Sequence, residues 1–190
     1  MEAALTKHHS GVYLLAAAKR IEEGELVSEE TVGAVIDFMR NMFDFVIVDC
    51  GHHLDETLVA AWERSNHLFY VLNQSVISVR SAWRFIDVFE RLALAVEPHF
   101  LLNRLQRAHN ITQKQLEDTL GRAMYQSIPR DDRSLELAEL SGKDLWQVAA
   151  ASPLAKTFEA LACRLANVEN AGERDKPFMS RLFSAFSAQS

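Results

Sequence analysis

The 190-residue chain carries 26 acidic and 20 basic side chains, giving a formal net charge of −6, and is 48% hydrophobic and 24% charged. This balance excludes global disorder and argues against a nucleic-acid surface, which needs a net basic footprint. Cys50 and Cys163 are too few for a disulfide framework. No apolar run approaches membrane-spanning length, and Met1 is followed by no basic-then-apolar leader. The expectation is therefore a cytoplasmic protein whose membrane contacts, if any, are peripheral.

Strand-like apolar runs alternate with helix-period segments. Val12-Tyr13-Leu14-Leu15 reads as a strand. Ser28 can cap a helix, with Glu29 and Glu30 at its positive dipole end. That helix places Val32, Val35, Ile36, Met39 and Phe43 on one face. Phe45-Val46-Ile47-Val48 follows, apolar at every position, which suits a buried central parallel strand. A helix over about residues 54–64 leads to the strand Leu68-Phe69-Tyr70-Val71-Leu72, and a longer helix over about residues 79–94 comes next.

Phe100-Leu101-Leu102 is a short strand, and Thr112 with Gln115 forms a capping box for the following helix. Met124 to Ile128 is a last strand, stopped by Pro129. Ser152-Pro153 supplies a cap and a first-turn proline, and Leu154, Phe158, Leu161 and Leu165 continue at helical spacing. Trp62, Trp83 and Trp146 are expected to pack in the core or between elements. Repeated β-α units of this length predict an α/β fold with a doubly wound, mainly parallel sheet over residues 1–168. Residues 169–177 read as a polar linker. Met179, Leu182, Phe183 and Phe186 then mark residues 178–190 as a short amphipathic tail suited to a partner or a membrane surface.

Ligands of open parallel sheets bind at the carboxyl ends of the strands. The candidates are therefore Asp49, Cys50 and Gly51, then Asn73, Gln74 and Ser75, then Asn103 and Arg104, and finally Pro129, Arg130 and Asp131. Asp49 could hold the water shell of Mg²⁺ beside a phosphate, or it could cap a turn; the pattern alone weighs these equally. The 190 residues contain no glycine-rich phosphate loop with its lysine. The Gly142-Lys143 pair is followed by Asp144 and lacks the upstream glycine. Cys50, His52, His53 and Asp55 lie close together but lack a second ligand pair, so an ordinary turn is favoured over a zinc site.

The string Asp44-Phe45-Val46-Ile47-Val48-Asp49-Cys50-Gly51 resembles the MinD/ParA-type P-loop ATPases, and within them the CpaE/TadZ proteins of Tad (Flp) pilus assembly. Ser10 to Ala17, Leu72 to Arg80, Leu102-Asn103-Arg104, Ser127 to Asp131, Ala138 to Lys143 and the Ser152-Pro153 helix carry the resemblance in the expected order. The resemblance implies ATP and Mg²⁺ as ligands. Asp49 would be the acid on the Mg²⁺ side, with Gly51 beside it, Asn103 would face the adenine with Arg104 adjacent, and Pro129 would lie in the loop near the base. It further implies a homodimer, pilus or secretion-machinery partners, and recruitment to the inner membrane or cell pole.

The family's phosphate loop and a second acidic residue precede the region matched here. A fragment, a late-start gene model and a natural degenerate member all fit that departure. It leads to two expectations: an exposed apolar sheet edge, and a localisation or scaffolding factor that does not hydrolyse ATP as the chain stands. The alternative is a MgATP-dependent switch whose phosphate-binding half lies outside this sequence.

Overall fold

Seven side-chain oxygens, each placed one residue ahead of a helix, set the helical framework. The computed structural model describes residues 5–17, 27–51 and 54–166. Ser28 caps α1 (Glu29–Arg40), Asp55 caps α2 (Glu56–Glu63), and Ser75 caps α3 (Val76–Leu92). Thr112 caps α4 (Gln113–Leu120), Asp131 caps α5 (Asp132–Ser141), Asp144 caps α6 (Leu145–Ala149), and Ser152 caps α7 (Pro153–Leu165). Each accepts a backbone N–H that the helix itself leaves unpaired. The reciprocal Thr112–Gln115 box forms as its spacing predicts. α3 begins three residues earlier than its apolar periodicity suggests, because the Ser75 hydroxyl accepts the Ser78 N–H at 3.1 Å.

The chain divides into two compact units, Met1–Leu68 with Leu94–Val96, and Phe69–Ala93 with Glu97–Ser190. In the first, β1 (Leu5–Lys7) and β2 (Tyr13–Leu15) form an antiparallel hairpin that pairs Leu5 with Leu15 and Lys7 with Tyr13. The strand expected over Val12–Leu15 therefore exists, but in a hairpin rather than a parallel sheet, and its side chains are exposed. Ile36 and Met39 of α1 and Ala60, Ala61 and Trp62 of α2 are buried. Arg64 ties the two helices together: its Nε donates to Asp37 Oδ2 at 3.4 Å and its Nη1 to the Ala60 carbonyl at 3.0 Å.

The expected central strand over Phe45–Val48 does not form. Phe45 is 51%, Ile47 94% and Val48 43% exposed, and among the described residues neither sheet includes this segment. A buried parallel strand needs neighbours on both edges to satisfy its N–H and C=O groups. Apolar composition makes a segment fit for burial, but it cannot supply those partners.

The larger sheet, in the second unit but for Leu68, has the order β3 (Leu68–Leu72), β4 (Pro98–Leu105), β5 (Met124–Pro129), and β4 and β5 are parallel. Successive strand residues point to opposite faces, and the aromatic contacts show both faces covered. Tyr70 and Phe100 meet Phe85 of α3 on one face, with ring centroids 4.5 and 6.2 Å away. Phe69, His99 and Tyr125 form a row on the other, and Arg164 of α7 lies 3.6 Å from the Tyr125 ring centroid. Helices on both faces of a sheet with a parallel pair make the predicted doubly wound α/β arrangement.

The core of this unit has two clusters. Leu72, Ala82, Phe100, Leu102, Leu116 and Leu120 form one, and Ile128, Leu145, Leu154 and Ala155 form the other. Trp62 is buried as expected, whereas Trp83 and Trp146 are exposed. Trp146 nevertheless approaches Phe158, with centroids 6.4 Å apart. A helix turns only one stripe toward its core, and Ala82 rather than Trp83 lies on that stripe of α3. The predicted linker, residues 169–177, and tail, residues 178–190, lie outside the described residues, as do His52 and His53.

Candidate functional site

β4 and β5 end side by side, with Leu105 in register with Pro129 and the Arg130 N–H donating to the Leu105 carbonyl at 3.1 Å. Just inside that end the backbone turns sharply. Arg104 adopts φ +55°, in the left-handed region that residues with a Cβ visit rarely and at a cost of roughly 1–2 kcal/mol. The Asn103 side chain supports the turn, its Oδ1 accepting the Arg104 N–H at 2.8 Å. Asn103 is half-buried.

Three charged groups close over the strand ends. Arg104 Nη2 donates to Asp132 Oδ1 at 3.1 Å, and Arg130 Nε donates to Asp132 Oδ2 at 2.6 Å. The hydrogen bond from Arg130, aided by the positive charges of Arg130 and Arg104, holds the Asp132 carboxyl below the usual carboxylate range. The same bond pushes the Arg130 guanidinium up. All three groups are solvent-exposed, so the cluster orients side chains more than it stabilises the fold.

A buried clamp lies behind this turn. Gln74, 7% exposed, follows β3, and its Oε1 accepts the Gln106 N–H at 2.7 Å. Its Nε2 donates to the Gln106 carbonyl at 3.2 Å and to the Ile111 carbonyl at 2.6 Å.

Asp49 and Gly51 belong to the first unit. Gly51 has φ +65° and its N–H donates to Asp49 Oδ1 at 3.4 Å, a turn closed by the aspartate's own side chain. The Asp49 carboxylate is exposed and keeps free lone pairs for a hydrated cation. Burial, and then the Asp49 charge, push the neighbouring Cys50 thiol up, so Cys50 is poorly suited to nucleophilic chemistry at neutral pH.

Of the residues singled out in the sequence, Asn103, Arg104 and Pro129 thus meet at the carboxyl ends of β4 and β5, and Asp49 and Gly51 share one turn. Sequence reasoning noted Gln74 only as a residue following a strand, and it did not connect Asp132 to Arg104. Among the described residues no group of three or more His, Cys, Asp or Glu side chains converges on a metal position. With Asn103 Oδ1 engaged once, its amide hydrogens and a second lone pair remain to meet a ligand that pairs a donor with an acceptor. Asp49 fits a cation held through water rather than a protein cage.

No protein-family profile matches the chain, and no curated protein does. Solved structures do. A ParA family ATPase from Chlorobium tepidum TLS superposes with a TM-score of 0.79 at 25% identity, over 86% of this chain and 68% of that one. The septum site-determining protein MinD from Pyrococcus horikoshii OT3, in complex with Mg-ADP, gives 0.70 at 22% identity over 86% and 68%. MinD from Aquifex aeolicus, in its MinC:MinD complex, gives 0.70 at 19% identity over 91% and 71%. Among the described residues no helix is long and apolar enough to cross a membrane. The sheet covered on both faces and these superpositions agree: the chain has the α/β fold of the MinD/ParA-type P-loop ATPases.

Proposed function

We propose that the chain serves a MgATP-dependent molecular switch of the MinD/ParA class, in which Asn103, Arg104 and Pro129 of the second unit offer a nucleobase edge; Asp49 and Gly51 of the first unit are, taken by themselves, a turn suited to a Mg²⁺-bound water. The observation that carries this reading is the half-buried Asn103 carboxamide, held at the carboxyl end of β4 by the Arg104 N–H. That edge is where open α/β sheets receive their ligands. When bound, the nucleotide and its Mg²⁺ would supply the phosphoryl chemistry and the charge that neutralises it. The chain's own residues orient the base and hold a water of the cation. The 190 residues contain no glycine-rich loop with lysine to cradle phosphate, so affinity for the nucleotide by these residues alone should be modest.

The finer assignment, a localisation or scaffolding factor in Tad (Flp) pilus assembly that dimerises and meets the membrane through residues 178–190, rests on the ordered strings Asp44 to Gly51, Leu72 to Arg80 and Leu102 to Arg104. Titration of the chain with fluorescent ADP and GDP in Mg²⁺ tests the nucleotide reading. An adenine preference that Asn103→Ala abolishes supports it; equal binding of both bases, or none, refutes it. For the finer role, loss of pili on deletion of the gene, in a strain that assembles them, is the expected result. Normal piliation would refute that role and leave the switch reading standing.

A further inference from the structure

Gln74 is the one buried polar side chain among the described residues, and its three hydrogen bonds all reach the segment that follows Asn103 and Arg104. We propose that Gln74 is a positioning residue that fixes the Asn103–Arg104 turn in the shape that reads a nucleobase. This rests on the nucleotide reading above.

The geometry supplies the reason. The Gln74 amide pairs with both the N–H and the C=O of Gln106, as a neighbouring strand would, and it is nearer to that carbonyl, at 3.2 Å, than the His109 N–H, at 3.4 Å. Its second amide hydrogen reaches the Ile111 carbonyl, just ahead of the α4 cap at Thr112, and so fixes both ends of residues 106–111. Gln106 is two residues beyond Arg104, whose left-handed φ persists only where the surroundings over-determine it. The turn is also held by Asn103 Oδ1 on the Arg104 N–H and by the Arg130 N–H on the Leu105 carbonyl, whereas the Arg104 and Arg130 bonds to Asp132 are exposed and weakened by salt. The buried amide is a restraint that solvent does not dilute.

Gln74→Glu keeps the shape and the acceptor for the Gln106 N–H, but sets a carboxylate against two carbonyls. Gln74→Met keeps the volume and removes all three bonds. Both variants and the wild-type full chain are titrated with fluorescent ADP and GDP in Mg²⁺, with hydrogen exchange followed at the amides of residues 104–107. Circular dichroism shows which variants remain folded. The expected result is faster exchange at Gln106 in Gln74→Met, which alone loses the acceptor, and in both variants an adenine preference reduced about tenfold, the equivalent of one lost base contact.

Unchanged exchange at Gln106 in Gln74→Met overturns the clamp whatever the nucleotide does. Faster exchange with the full adenine preference retained overturns the positioning role and leaves Gln74 a loop brace. A wild-type chain with no adenine preference refutes the nucleotide reading, and this proposal with it, whereas loss of preference in Asn103→Ala but not in the Gln74 variants refutes this proposal alone.

Discussion

Gly33 lies inside α1, where replacement by alanine would ordinarily stabilise the helix by about 0.8–1 kcal/mol. Here a Cβ at Gly33 would stand 2.6 Å from both Cζ and Nη2 of Arg64 and 2.8 Å from its Nε. The guanidinium must move. It is a flexible group, but it is anchored by Nη1 on the Ala60 carbonyl and Nε on Asp37. Losing the charged hydrogen bond costs about 1.5–3 kcal/mol where it is fully buried. The Arg64 side chain is 32% exposed, so water recovers part of this and about 1–2 kcal/mol is the better figure. The Asp37 pair adds a few tenths, about 0.2–1 kcal/mol. Gly33→Ala should therefore destabilise the chain by about 0.5–2 kcal/mol, the reverse of the propensity expectation. In an Arg64→Ala background the obstacle is gone, and the same change should stabilise by about 0.5–1 kcal/mol. A double-mutant cycle from urea unfolding would then give a coupling of about 1–3 kcal/mol. Stabilisation by Gly33→Ala in the wild-type background would refute the reasoning, as would a coupling near zero.

Two further outcomes follow from charge. Burial and the Asp49 charge raise the folded pKa of Cys50, so its contribution to stability is complete below the unfolded thiol value of about 8.5 and is lost as pH rises through the folded one. In a Cys163→Ser background, alkylation of Cys50 should titrate above a free thiol, and Asp49→Asn should move that titration down; an unchanged curve would deny the Asp49 contribution. For Asp132, whose folded pKa is depressed chiefly by the Arg130 hydrogen bond, the sign is opposite. Its contribution is present above the unfolded value of about 3.9 and disappears as pH falls through the folded one. Proton-exchange or carbon NMR of the Asp132 carboxyl should show the depressed midpoint, and Arg130→Ala should restore most of the ordinary value. An ordinary midpoint in the wild type would show that the exposed clasp does not persist in solution.

Where a residue's role is set by its neighbours in the chain, the sequence was a sufficient guide. The Ser28, Thr112 and Ser152 caps are local hydrogen bonds spanning three residues, and they form where their spacing places them. The strand Leu68–Leu72 keeps its predicted bounds because apolar side chains on both faces suit a sheet covered on both faces. Asn103, Arg104 and Pro129 were recognisable as candidates because they close strands, and the strand register brings Leu105 opposite Pro129.

Other features depend on partners distant in sequence. The segment Phe45–Val48 has the composition of a central strand, yet strandedness belongs to a ladder and not to a segment. Trp83 is apolar, but the rotation of α3 against its core turns Ala82 inward instead. Gln74 reads as one more polar residue after a strand; only the approach of a loop 32 to 37 residues away gives its amide three backbone partners.

Asp49 lies between these cases. The sequence placed a carboxylate after four apolar residues and left its role divided between a cation-side acid and a turn. The tertiary structure adds that one oxygen closes the turn to Gly51 while the group stays exposed, so the two roles are compatible in a single side chain. By itself the sequence determined the Ser28, Thr112 and Ser152 helix caps, the strand Leu68–Leu72 and the chemical character of the strand ends, because those follow from periodicity and local hydrogen bonding. The tertiary structure decided which strands find ladders, which aromatic rings are buried and which side chains clamp the Asn103 turn, because each requires a partner that only folding brings within reach.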